Sequence, residues 1–124
     1  MILVTNVVIA TVALLHIYFL ILEMFFWTKP KGLKIFAQSL EKAKSSAVLA
    51  ANQGLYNGFL AAGLIWGLSH PHNSFAFQIK LFFLICVLIA GLYGAYSVNR
   101  RILFVQAVPA MIAIGLLLIT GSQF

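Results

Sequence analysis

The chain has 124 residues, of which 63 % are hydrophobic and 8 % charged, against roughly 25 % charged in an average soluble domain. That balance excludes a soluble globular fold, and since one span takes about 20 mostly apolar residues, the length holds four spans and little else. Eight Lys and Arg against two acidic residues give a formal net charge of +6; this excess does not point to nucleic acid, because the basic residues flank apolar runs, where they act as topology signals and headgroup contacts.

The first apolar run extends from Ile2 to Trp27, interrupted by Thr5, Asn6, Thr11, His16 and Glu23. It lacks the basic start and small-residue cleavage site of a signal peptide, and is expected to be a retained membrane helix. The linker that follows, residues 28–47, carries Lys29, Lys31, Lys34, Lys42 and Lys44 against Glu41 alone. Within it Leu33, Phe36, Ala37 and Leu40 repeat at helical spacing, which predicts a short amphipathic helix in the headgroup layer.

Three further runs cover residues 48–68, 75–96 and 102–120, each long enough to cross once with some tilt. The linker between the second and third holds His70-Pro71-His72, read as loop residues because no thiolate or carboxylate accompanies the two imidazoles. Arg100 and Arg101 mark the last linker. Seven of the eight basic residues therefore sit in the first and third linkers, with Lys80 near the second. The positive-inside rule then puts those two linkers in the cytoplasm. The expected fold is all-α: an up-down-up-down four-helix transmembrane bundle with both termini outside, one multi-pass domain covering the chain.

Counted inward from the cytoplasmic ends, the polar residues converge on one level. Glu23 lies about one turn into the first span, and Asn52, Gln53, Tyr56 and Asn57 about one to two and a half turns into the second. Tyr93 and Tyr96 fall in the last turn or so of the third, in a stripe with Cys86 and Ile89, and Gln106 lies about one turn into the fourth. Pro109, just beyond Gln106, is expected to free a backbone carbonyl and kink that helix. An ionisable side chain at the centre of a membrane helix costs ~2.5–3.5 kcal/mol on insertion scales and usually faces a bundle interior or a wet cavity, so Glu23 is the first candidate. His16 lies on the same face, about 10.5 Å away along the axis. Gly54 with Gly58, and Gly63 with Gly67, are small-xxx-small pairs that let another helix approach closely, within the bundle or in a dimer. Trp27 and Trp66 read as interfacial anchors, and Cys86 as a small packed hydrophobe.

The candidate ligand-binding or coupling residues are thus Glu23, His16, Asn52, Gln53, Tyr56, Asn57, Tyr93 and Gln106. No metal set is proposed, and no motif identifies a cofactor. A bis-histidine haem needs a second intramembrane histidine, no phosphate-binding glycine loop occurs, and the chain has no aspartate for a Ser-His-Asp triad.

His16 with Glu23-Met24-Phe25-Phe26-Trp27, Asn52 through Ala61, Tyr93-Gly94-Ala95 and Gln106-Ala107-Val108-Pro109-Ala110 together resemble the bacterial small integral membrane family known as domain of unknown function 1304. The resemblance covers nearly the whole chain. It implies a small four-helix inner-membrane protein and brings no settled activity.

Three functions are compatible with these residues. The first is a protein that binds or transports a small molecule or ion through a polar pocket open to the cytoplasm, with Glu23 as the coupling group. The second is a membrane-embedded enzyme acting on a quinone, isoprenoid or sterol-like substrate by general acid/base chemistry. The third is a structural subunit of a membrane complex. Expected partners are membrane lipids, a lipophilic or small-molecule ligand and a second copy of the chain through the glycine pairs, with no nucleic acid.

Overall fold

In the computed structural model, which describes residues 1–121, the chain is helical, with no strand among the described residues. Five α-helices follow in order: α1 (Ile2–Phe25), α2 (Pro30–Ile35), α3 (Leu40–Ser69), α4 (Asn73–Ser97) and α5 (Val108–Gly121). A π-helical segment, Leu103–Ala107, leads directly into α5. Three stretches combine the length and apolarity needed to cross a membrane: Ile2–Phe25, Asn73–Ser97 and Leu103–Gly121. In each, only 28 % of the apolar window is buried inside the chain. The remaining aliphatic and aromatic side chains are partly or largely exposed, far more apolar surface than a soluble monomer exposes.

The fourth expected span corresponds to α3, which differs from expectation in two ways. It has 30 residues, about 45 Å at the usual rise, and begins well before residue 48. Its apolarity falls below that of the other three because Asn52, Gln53 and Asn57 interrupt the middle, while Glu41, Lys42 and Lys44 occupy its first turns.

The amphipathic helix expected from Leu33 to Leu40 does not form as one element. Pro30 starts α2 in its first turn, where a missing N–H costs nothing, but the helix ends at Ile35. Ala37 then adopts a left-handed conformation with φ 50°, which breaks the helical run. Ser39 restarts it: its hydroxyl accepts the backbone N–H of Lys42 at 3.2 Å and its carbonyl accepts that of Ala43 at 3.0 Å, as an N-cap does. Leu33 and Leu40 therefore belong to different helices.

The chain divides into two compact units. One comprises Leu14–Ala61, containing the second part of α1, all of α2 and the first part of α3. Its linker is clamped by Trp27, whose indole N–H donates to Ser46 Oγ at 3.2 Å and whose ring lies against Phe36 with centroids 4.8 Å apart. Trp27, expected from sequence as an interfacial anchor, is in the structure a clasp between linker and α3. Gly32 of α2 is buried, and a Cβ there would collide with the Phe26 carbonyl.

The other unit comprises Met1–Ala13 and the chain from Ala62 onward. Here α4 packs on the π-helical segment and on α5, meeting Ala107 so closely at Gly91 that a Cβ would come within 2.6 Å of the Ala107 nitrogen. The buried residues of α4 are Ala76, Lys80, Leu84, Val87 and Gly91, one stripe at helical spacing. The stripe read from sequence falls elsewhere: Ile89, Tyr93 and Tyr96 all point outward. Pro109 sits at the second position of α5. Lacking an N–H, it cannot bond the carbonyl four residues back, and the backbone before it opens into the wider π turn.

Candidate functional site

The site is built on two helix faces of the unit Leu14–Ala61. On α1, Thr5, Ile9, Val12 and His16 are buried at steps of four, three and four residues, and Glu23 continues that line seven residues beyond His16. On α3, Ala50, Gly54, Asn57, Ala61 and Leu64 are buried with the same alternation of four and three, the spacing of a packed helical seam. Asn57 therefore occupies a seam position that its neighbours fill with small or aliphatic residues.

Glycine makes the meeting possible. A Cβ on Gly54 would lie 2.7 Å from Met24 Cγ and 3.2 Å from both Glu23 Cβ and the Leu20 carbonyl oxygen, and one on Gly58 would lie 2.7 Å from Leu20 Cδ1. With hydrogen in those places, α3 lies against the backbone of α1, and the Asn57 amide Nδ2 donates to Glu23 Oε1 at 2.5 Å. Asn57 is buried and Glu23 half-buried. The second carboxylate oxygen accepts no hydrogen bond among the described residues, and the side chain that carries it is only half-buried. A membrane-helix carboxylate is thus held by a neutral donor through one oxygen and leaves the other for a proton, cation or ligand donor.

Of the eight candidates from sequence, Glu23 and Asn57 are in direct contact. His16 is fully buried on the α1 seam and meets Phe19 edge-on, with centroids 5.9 Å apart and an interplanar angle of 77°. Asn52, Gln53 and Tyr56 lie on the exposed side of α3, with Tyr56 tilted against Phe59 at 5.9 Å. Gln53 and Asn57 stand four residues apart, yet only Asn57 falls on the seam. Tyr93 and Gln106 belong to the other unit. Tyr93 is 69 % exposed, and Gln106 is half-buried inside the π-helical segment. The glycine pairs pack within the chain: Gly54 and Gly58 against α1, and Gly63 and Gly67 against Phe83, Ile79 and Lys80 of α4. Among the described residues no three His, Cys, Asp or Glu side chains converge as a metal set.

One polar contact escaped the sequence reading. Lys80 is buried in α4 and donates from Nζ to Asn6 Oδ1 of α1 at 3.0 Å. At the same end of α1, the Thr5 hydroxyl lies 3.5 Å from that of Thr120 on α5. The four-residue repeat from Ala76 through Lys80 to Leu84 was the available signal.

Residues 10–118 match the family described as "Protein of unknown function (DUF1304)". The uncharacterized protein YpaA of Lactococcus lactis subsp. lactis (strain IL1403) is 31 % identical over 105 residues, which cover 83 % of this chain and 87 % of that protein. No solved structure matches the chain. The family match takes in the Glu23 segment, the whole Asn52–Gly58 stretch and the π turn, and on that ground the chain belongs to the DUF1304 family of proteins of unknown function.

Proposed function

We propose that this is a multi-pass inner-membrane protein of four spans, with both termini outside, that binds or transports a small molecule or ion by way of Glu23. The reading rests above all on the half-buried Glu23 carboxylate, held at one oxygen by Asn57. A carboxylate within an apolar helix persists only where it is partnered and used. Asn57 is suited to such a role because an amide donates to the charged carboxylate and, through its own oxygen, accepts from the protonated one. The site thus tolerates both states of Glu23, as a group that takes up and releases a proton or cation must. Seven of the eight basic residues lie on the stretch after α1, in the first turns of α3 or on the loop after α4, which supports a cytoplasmic opening.

The test is a proton-flux measurement in vesicles reconstituted with the purified protein and loaded with a pH-sensitive dye. The native chain is expected to collapse an imposed pH gradient, and Glu23→Gln to lose that flux while keeping its helical circular dichroism. Equal rates for the two would sink the coupling role. A quinone or isoprenoid copurifying with the native chain and lost from the variant would transfer the assignment to an enzyme acting on that lipid.

A further inference from the structure

Lys80 takes no part in the Glu23 site, and its surroundings differ from those of every other basic residue in the chain. The remaining seven lysines and arginines are exposed, whereas Lys80 is 6 % exposed. It occupies the seam of α4 between Ala76 and Leu84, about 10.5 Å from the start of that helix. Side chains on a helix lean toward its N-terminus, so the ammonium rises from this depth toward the end where α3 gives way to α4. Gly67 makes room for the stem: a Cβ there would stand 2.7 Å from Lys80 Cγ and 3.1 Å from the Lys80 backbone nitrogen.

An ammonium carries three donors and no acceptor. One is given to Asn6, and among the described residues of this unit no acidic side chain stands beside the charge, since Glu23 and Glu41 belong to the other unit. The nearby hydroxyls are occupied with backbone, Thr5 with the Met1 carbonyl at 2.9 Å and Thr120 with that of Leu116 at 2.9 Å. Asn6 spends its oxygen on Lys80, which turns its amide Nδ2 into a second donor. Asn6 is half-exposed and its bond to Lys80 only partly covered. Two donor groups, one of them cationic, therefore adjoin where Asn6 is partly exposed, with no carboxylate side chain among the described residues of this unit to pair with them.

We propose that Lys80 and Asn6 form a second site, separate from Glu23, that takes an anionic phosphate group, carried by a lipid headgroup or supplied as inorganic phosphate. The two sources share the chemistry, charge-assisted bonds from an ammonium and an amide to phosphate oxygens, and they differ in whether an acyl chain lies along the outward faces of α1 and α4.

The experiment is a thermal-unfolding titration of the full chain in neutral detergent with short-chain phosphatidylglycerol in one series and inorganic phosphate in another. A ligand that binds the folded state raises Tm in a saturable way. The native chain is expected to show such a rise, and Lys80→Met to need roughly tenfold or more ligand for the same shift, the scale of a lost charged hydrogen bond. Asn6→Asp supplies a carboxylate beside the ammonium and is expected to abolish the rise in a chain that folds, which keeps the test decisive should Lys80→Met fail to fold. A response to phosphatidylglycerol alone identifies the lipid as source; a response to both identifies the free anion. Equal titration curves for native and Asn6→Asp chains, or no saturable rise with either ligand, would overturn the proposal.

Discussion

Glu23 and Asn57 were visible in the sequence because each is an expensive residue in an apolar run, and expense is legible without coordinates. What the sequence did not separate is Asn57 from Gln53. Both lie within one turn of α3, and only the seam of Ala50, Gly54, Asn57 and Ala61 decides which faces α1. Lys80 was hidden for the opposite reason. A lysine close to a span end is what a topology signal looks like, and burial alone distinguishes it. The glycines allow a direct comparison at this scale. Gly54→Ala places a methyl 2.7 Å from Met24 Cγ and 3.2 Å from the Leu20 carbonyl, and is expected to destabilise by about 1–3 kcal/mol, the range for overpacking a core, with loss of the Glu23 to Asn57 contact. Gly115→Ala meets nothing within 4 Å and is expected to stabilise by up to about 1 kcal/mol through helix propensity. Thermal unfolding of both variants in the same detergent checks the pair; equal effects would mean that the α1 to α3 approach at Gly54 is not tight.

Among the elements, the three long apolar helices follow from composition, since nothing but a helix satisfies its own backbone in lipid. The linker was harder, because the periodicity of Leu33, Phe36, Ala37 and Leu40 ran across a break. Ser39 was the sign of that break, a capping residue standing just before the polar first turns of α3. Ser39→Ala is expected to cost about 1 kcal/mol, the usual worth of such a cap, and to speed amide hydrogen exchange at Lys42, whose N–H the hydroxyl accepts. Unchanged exchange at Lys42 would show that the cap does not hold the start of α3. Pro109 was legible as a disturbance but not as a π turn, because the missing N–H says only that the bond to the residue four back is lost. Which way the backbone yields depends on its neighbour, here α4 lying close against Ala107 at Gly91.

For the whole molecule, charge placement carries the topology and the helices carry the thickness. A reporter fused after Phe124 is expected to be active only on the outer side of the membrane; activity in the cytoplasm would reverse the orientation drawn from Lys29, Lys31, Lys34, Lys42, Lys44, Arg100 and Arg101. The π turn bears on the whole chain in another way. Its hydrogen bonds span five residues where an α turn spans four, so Leu103–Ala107 stores one surplus residue. Deleting a residue there lets the segment close as an ordinary α turn, with Ala110, Ala113, Leu117 and Thr120 still turned inward. The same deletion in the middle of α4 rotates all that follows by about 100° and carries its inner face round to the lipid. Length variation within this protein is therefore tolerated ahead of Pro109 and forbidden along the seams.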